Sequence, residues 1–204
     1  ENDDVRSEFN YDELDRPISE KTILKNIDKS YTIQTDYTIF NSVDSITYND
    51  GKKIQYTYDS LHRLSSIAYD GDNIADYTYN DNGSLASLSY GNNVILTYEY
   101  EDESTKYSTQ REYLLTEIEA VNQSNVTIQN EIYTFDTIGN IVDSSSWHPI
   151  TDEVGTKSYL YSEKNELIQI NLSSPSYSQT KFKEYSYDSN GNISLYSVPD
   201  NDQT

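Results

Sequence analysis

The chain has 204 residues, 35 of them acidic and 14 basic, which gives a formal charge of −21. A field of that sign repels nucleic acid and anionic membrane surfaces, so neither is expected as a partner, while cationic proteins and divalent cations are attracted. There is no cysteine for a disulfide frame or a thiolate metal site, and no run of about 18 apolar residues that could span a bilayer.

From the N-terminus onward one aromatic phrase recurs. Its anchors are Tyr11, Tyr37, Tyr58, Tyr79, Tyr100, Phe135, Tyr161 and Tyr187, at intervals of 26, 21, 21, 21, 35, 26 and 26 residues. A second aromatic stands two residues earlier in seven of the eight units, as Phe9, Tyr56, Tyr77, Tyr98, Tyr133, Tyr159 and Tyr185, with Thr35 in the remaining one. A spacing of two places both rings on one face of a strand. In "KIQYTYD", Ile54, Tyr56 and Tyr58 face one way and Gln55, Thr57 and Asp59 the other. Four residues past the anchor stand Asp15, Asn41, His62, Gly83, Gly139, Asn165 and Gly191. These residue types tolerate positive φ best, so a left-handed turn is expected at each.

An apolar doublet follows at a spacing of three: Val43 and Ile46, Leu64 and Ile67, Leu85 and Leu88, Leu115 and Ile118, Leu167 and Ile170. Three is not a strand period, which predicts a bulge or bend between the two. Turn signals "NDGK", "YDGDN" and "YGNN" then close the unit. Each unit thus reads as strand, tight turn, strand, tight turn, with no room for crossover helices. The fifth unit carries an insertion at about 101–112. "DELDRPISEKTILKNI" and "STQREYLLTEIEAV" also admit a helical reading, although repeat anchors run through both. The fold class predicted is all-β: one array over 1–204 of consecutive antiparallel hairpins forming a curved, spiralling sheet. With tyrosine at 21 residues and hydrophobic residues at 34%, that sheet should be thin and tyrosine-lined, without a thick aliphatic core.

The phrases "YTYDSLHRL", "YNDNGSL", "YTFDTIGNI" and "YSYDSNGNI" resemble the YD repeat of the Rhs family, over essentially residues 9–196. That family includes bacterial Rhs and wall-associated polymorphic toxins, the C component of insecticidal toxin complexes, and animal teneurins. The resemblance implies β-hairpins coiled into a large spiral sheet, often a hollow shell that in the bacterial toxins encloses a toxic domain. It implies a secreted or cell-surface bacterial protein, with the rest of the parent shell and its cargo as partners. The signature positions are Tyr11, Asp12, Tyr56, Tyr58, Asp59, Tyr77, Tyr79, Gly83, Tyr98, Tyr100, Tyr133, Phe135, Asp136, Gly139, Tyr159, Tyr161, Tyr185, Tyr187, Asp188 and Gly191. The arginine after the turn survives only as Arg16 and Arg63, and the Pro-, Gly- and Arg-rich core motif with its self-cleaving aspartyl protease has no counterpart here. The first residue is Glu1 with no signal-peptide pattern before it, so the chain reads as an excised piece whose outer strands continue into further hairpins.

Carboxylate pairs such as Asp70 and Asp72 invite a glycosidase reading, but acid–base work needs two carboxylates facing across a cleft. A repeat array spreads them along solvated turns, and a non-enzyme without cofactor is expected. His62 is accounted for by its turn position and lies far in sequence from His148, so neither suggests zinc. "DSNGN" at 188–192 lacks the alternating acids of a calcium loop. Sequons at Asn82, Asn122, Asn125, Asn171 and Asn192 are what an Asn-, Ser- and Thr-rich chain generates by chance. Trp147, in the "SSSWHPITDEVG" segment read as a loop, is the candidate exposed ring for stacking on a surface glycan. An adhesion or carbohydrate-binding module is the alternative to the shell wall.

Overall fold

A computed structural model describes residues 4–101, 114–148, 153–173 and 181–197. Sixteen strands lie side by side in chain order, each antiparallel to the next wherever the register is defined. They are β1 (Val5–Tyr11), β2 (Pro17–Leu24), β3 (Lys29–Tyr37), β4 (Val43–Thr47), β5 (Lys53–Tyr58), β6 (Leu64–Tyr69), β7 (Asp72–Tyr79) and β8 (Leu85–Tyr90). There follow β9 (Ile95–Tyr100), β10 (Leu115–Val121), β11 (Thr127–Phe135), β12 (Ile141–His148), β13 (Glu153–Tyr161), β14 (Leu167–Ser173), β15 (Lys181–Tyr187) and β16 (Ile193–Ser197). The all-β class and the consecutive hairpins are therefore as the sequence predicts. Every anchor is the last residue of an odd-numbered strand. Both segments open to a helical reading pair as strands: Pro17–Leu24, followed by a 3-10 turn at Lys25–Ile27, and Leu115–Val121. Residues 108–113 of the second lie outside the described residues.

The chain divides into two compact units, Glu1–Tyr79 with Leu88–Asn93, and Asn80–Ser87 with Val94–Thr204. Neither has a deep interior. Among the described residues only Ala75, Leu88, Ala120 and Ser45 are buried. In β5 Ile54, Tyr56 and Tyr58 are half-buried while Gln55 and Thr57 are exposed, which is the predicted alternation, and Tyr77, Tyr79, Tyr98 and Tyr100 are half-buried as well.

The spacing-three doublet has the expected cause. Seven of the eight anchors pair with the first residue of the following strand, and the residue before the anchor pairs two further on, as in Tyr58↔Leu64 but Thr57↔Ser66, Tyr37↔Val43 but Asp36↔Ser45, Tyr161↔Leu167 but Leu160↔Gln169. Ser65, Asp44 and Ile168 are left over as one-residue bulges, which re-aim the strand and increase its twist.

The pairing from one hairpin to the next is the same at the six junctions whose register is defined. The residue two past the start of an even strand faces the residue three before the next anchor: Ser19↔Gln34, Ser45↔Gln55, Ser66↔Asp76, Glu117↔Ile132, Asp143↔Ser158 and Gln169↔Glu184. Units of different length therefore share one register.

Candidate functional site

The repeated turn is densely bonded among the described residues. In the first unit the Asp12 N–H donates to the Arg16 carbonyl (3.0 Å) and the Asp15 N–H to the Asp12 carbonyl (3.1 Å). The same pair of bonds recurs in the turns beginning at Thr38, Asp59, Asn80, Asp136, Ser162 and Asp188. The residue fourth in each turn must reverse the chain with φ above zero, and all seven predicted positions do: Asp15 57°, Asn41 68°, His62 62°, Gly83 91°, Gly139 93°, Asn165 66° and Gly191 81°. The same geometry closes the opposite end of two units, at Tyr48–Lys52 and Asn122–Val126. The second of these escaped the sequence reading. Asn122-x-x-Asn125 was its signal.

The aspartate opening the turn divides its two oxygens between two tasks. Asp59 Oδ1 accepts the backbone N–H groups of Leu61 and Arg63, each at 2.9 Å, while Oδ2 holds Arg63 Nε and Nη2, each at 2.7 Å. Asp12 does the same with Leu14 and Arg16. Where arginine is missing, Asn140 and Asn192 place an amide on the same oxygen, 2.8 Å from Asp136 and 3.1 Å from Asp188. These donors hold all four carboxyls below their usual range. For Asp12 the main cause is the Arg16 side chain, for Asp59 the Arg63 backbone N–H, and for Asp188 the Asn192 amide. For Asp136 desolvation works upward, and the Asn140 amide with the backbone N–H groups outweighs it.

The turns also reach forward. The Arg16 guanidinium lies 4.4 Å from the centre of the Tyr37 ring and donates through Nη1 to Asn41, the left-handed residue of the next turn, at 3.0 Å. Arg63 lies 4.3 Å from the Tyr79 ring, in the face-on geometry that attracts a cation to an aromatic ring. Asn140 substitutes again, donating to Asn165.

The anchor hydroxyls complete the links. Tyr37 donates to the Pro17 carbonyl (3.0 Å), Tyr58 to Val43 (2.6 Å), Tyr79 to Leu64 (2.8 Å), Tyr161 to Ile141 (3.0 Å) and Tyr187 to Leu167 (2.8 Å). Tyr100 bonds the Leu85 backbone likewise. In every case the acceptor is the first residue of the preceding even strand, just before its bulge. Phe135 has no hydroxyl and leaves the row incomplete at Leu115. Burial pushes the Tyr58, Tyr100 and Tyr161 hydroxyls above the usual tyrosine pKa. The aromatics two residues before the anchors differ from one another: Tyr133 donates to Glu131, which pushes its pKa up to about 12, and Tyr159 meets the Ser144 hydroxyl at 3.2 Å.

Trp147 departs from the sequence reading. It is not in a loop but in β12, paired with Asn130 on one side and Val154 on the other, and its ring is half-buried. The run Ser144–Ser146 looks loop-like in composition, yet its backbone is bonded to a strand on each side. Asp70 sits in a left-handed turn with Gly71, and both oxygens of Asp188 are engaged by its own turn. A groove of about 600 Å³ is lined by Tyr31, Thr32, Ile33, Tyr48, Asn49, Asp50 and Tyr69. Lys52 Nζ lies 5.4 Å from the Tyr69 ring centre, and Asn49 Oδ1 accepts the Thr32 N–H at 3.3 Å.

No protein-family model matches the chain, and no curated protein matches it in sequence. Solved structures do match its fold. A crystal structure of TcdB2-TccC3-TEV superposes with a TM-score of 0.69 at 18% identity, over 96% of this chain and 11% of that one. TcdB2-TccC3 without its hypervariable C-terminal region gives 0.60 at 17% identity, over 95% and 12%. TcdB2-TccC3-Cdc42 gives 0.59 at 17%, over 91% and 12%. The chain thus spans about an eighth or less of the length of these structures, and its fold is that of a stretch of the TcdB2-TccC3 chains.

Proposed function

We propose that this chain is a non-catalytic wall segment of a secreted or cell-surface bacterial shell of the Rhs/YD-repeat type, one that works by enclosing or presenting a toxin or other cargo. The observation that carries this reading is the use of the signature groups. Aspartate, arginine and anchor tyrosine spend their polar atoms on turns and on links to the adjoining hairpin, which is what a wall requires and what a reactive centre cannot spare. The YD-type phrases and the likeness to TcdB2-TccC3 chains support it independently. Purified protein is expected to hydrolyse no glycoside, peptide or nucleic acid and to leave its own backbone intact on incubation. A turnover abolished by replacing one specific carboxylate would overturn the proposal.

The groove at Tyr31, Tyr48 and Tyr69 favours a second reading, an adhesion module that stacks sugar rings on exposed tyrosine. A glycan screen decides between them: binding lost in Tyr48→Ala but kept in Trp147→Ala supports the groove, and binding lost in Trp147→Ala alone restores the tryptophan as the contact.

A further inference from the structure

The groove beside the Tyr48–Lys52 turn exists because neighbouring hairpins differ in length. The interval from Tyr11 to Tyr37 is 26 residues and that from Tyr37 to Tyr58 is 21, so β2 and β3 outreach β4 and β5. The β3–β4 pairing stops at Gln34↔Thr47. Beyond it Lys29–Ile33 have register partners in β2 alone among the described residues. Tyr31 and Ile33 stand on this overhang, on the face they share with Thr35. Register carries that face across the sheet through Thr35↔Ile46, Ile46↔Ile54 and Ile54↔Tyr69, which brings Tyr69 to the same side. Tyr31 is 49% exposed and Tyr48 37%.

The step also presents polar groups in fixed positions. The Tyr48 N–H donates to the Lys52 carbonyl (2.8 Å) and the Gly51 N–H to the Tyr48 carbonyl (2.9 Å), with Gly51 at a φ of 87°. This turn sets Asn49 and Asp50 in the groove wall. Asn49 Oδ1 is taken by the Thr32 N–H, which leaves the Nδ2 amide as a donor. Asp50 Oδ1 accepts the Lys52 N–H at 3.1 Å, which leaves Oδ2 as a charged acceptor. Neither side chain has a further bond among the described residues. The Lys52 ammonium is engaged with the Tyr69 ring. A donor and a charged acceptor on consecutive residues, beside exposed rings, match two adjacent hydroxyls on a sugar whose C–H face stacks.

We propose, resting on the adhesion reading of this groove, that it takes a neutral pyranose whose C–H face lies on Tyr48. Of two vicinal hydroxyls, one accepts from Asn49 Nδ2 and the other donates to Asp50 Oδ2. A volume of about 600 Å³ falls among those of small-ligand sites. Acidic sugars are disfavoured, because Asp50 faces the ligand and the charge of −21 on the chain carries the same sign.

Titration of the whole chain with the methyl glycosides of glucose, galactose and mannose, followed by NMR shifts, tests this. The comparison is with their uronic acid counterparts, in which a carboxylate replaces the hydroxymethyl group. At least one neutral glycoside should bind roughly tenfold or more tightly than its uronate. Asn49→Asp keeps the acceptor for Thr32 and loses the donor, and Asp50→Asn keeps the shape and loses the charge. Each should weaken the neutral ligand roughly tenfold, the scale of one hydrogen bond. Asp50→Asn should also narrow the gap to the uronate, which a merely structural role would not do. Failure of every glycoside to bind, or binding lost in Trp147→Ala alone, overturns the proposal and the groove reading with it. Binding lost in Tyr48→Ala but unchanged in Asn49→Asp and Asp50→Asn, or uronates held as tightly as neutral sugars, overturns the proposal and leaves the adhesion reading standing.

Discussion

Replacing Tyr58 by phenylalanine removes one oxygen and keeps the ring. The lost atom donates to the Val43 carbonyl at 2.6 Å, and since the side chain is half-buried, no cavity forms and the apolar contacts remain. A net intramolecular hydrogen bond contributes about 0.5–1.5 kcal/mol. Water can reach part of this carbonyl, which places the expected loss at about 1 kcal/mol, or roughly 2–4 °C in Tm for a chain of this size. The chain supplies the reverse experiment. Phe135 occupies the same position with nothing to donate to Leu115, so Phe135→Tyr should stabilise by a comparable amount. Tyr56→Phe serves as control, because the Tyr56 hydroxyl has no hydrogen-bond partner among the described residues, and should stay within about 0.5 kcal/mol. Urea unfolding followed by circular dichroism gives the three differences. Native-state hydrogen exchange then shows whether the Tyr58 effect is confined to the hairpins on either side, as nearest-neighbour coupling in an array demands. Equal effects for Tyr56→Phe and Tyr58→Phe, or no gain from Phe135→Tyr, would refute the idea that these hydroxyls hold successive hairpins together.

Three further outcomes follow from the same geometry. The turn carboxyls Asp12, Asp59, Asp136 and Asp188 are depressed in the folded chain, so the stability they contribute is present above the ordinary value of 3.8 and is lost as pH falls through their lower folded values. Asp59→Asn keeps the turn acceptor but loses the charge on Arg63, so its Tm deficit should be clear at pH 6 and fade once the pH has fallen well below 3.8. At the alkaline end Tyr133 favours its neutral form, a contribution complete below about 10 and lost as pH rises towards 12. Ultraviolet titration should therefore lose one of its late-ionising tyrosines in Glu131→Gln, while the raised Tyr58, Tyr100 and Tyr161 stay late. Gly139→Ala, with open space around the added methyl but φ of 93°, should cost about 1 kcal/mol. Gly91→Ala, whose methyl would collide with the Asn73 carbonyl, should cost about 2 kcal/mol or more. Thermal unfolding of the two variants checks the order.

The left-handed turns, the strand ends and the bulges were legible because each leaves a mark in residue type. Positive φ selects Gly, Asn, Asp or His, half-burial selects alternate rings, and a bulge turns a spacing of two into three. The partners of the anchor hydroxyls were not legible, since a backbone carbonyl acceptor places no constraint on its own side chain. Pro17, Val43, Leu64 and Ile141 have only their position in common. Trp147 was misplaced for a related reason: serines carry no strand signal, and the pairing that makes Ser144–Ser146 a strand comes from the backbone on both sides. The turn at Asn122–Val126 was hidden by the insertion just before it, which lengthened the interval from Tyr100 to Phe135 and drew the extra residues into one irregular unit.

That insertion is closed by the same backbone bond as the seven anchor turns. The Glu101 N–H donates to the Leu114 carbonyl at 3.0 Å, where Asp12 and Arg16 perform the closure across three intervening residues rather than twelve. β9 and β10 on either side keep the common pairing, Tyr100↔Leu115 and Glu99↔Glu117. The closing bond and the pairing beyond it are thus the same whether three residues or twelve intervene, and each doubling of loop length adds only about 0.6 kcal/mol of closure entropy. The position between Glu101 and Leu114 is a natural splice point for grafting a reporter, an epitope or a whole folded module.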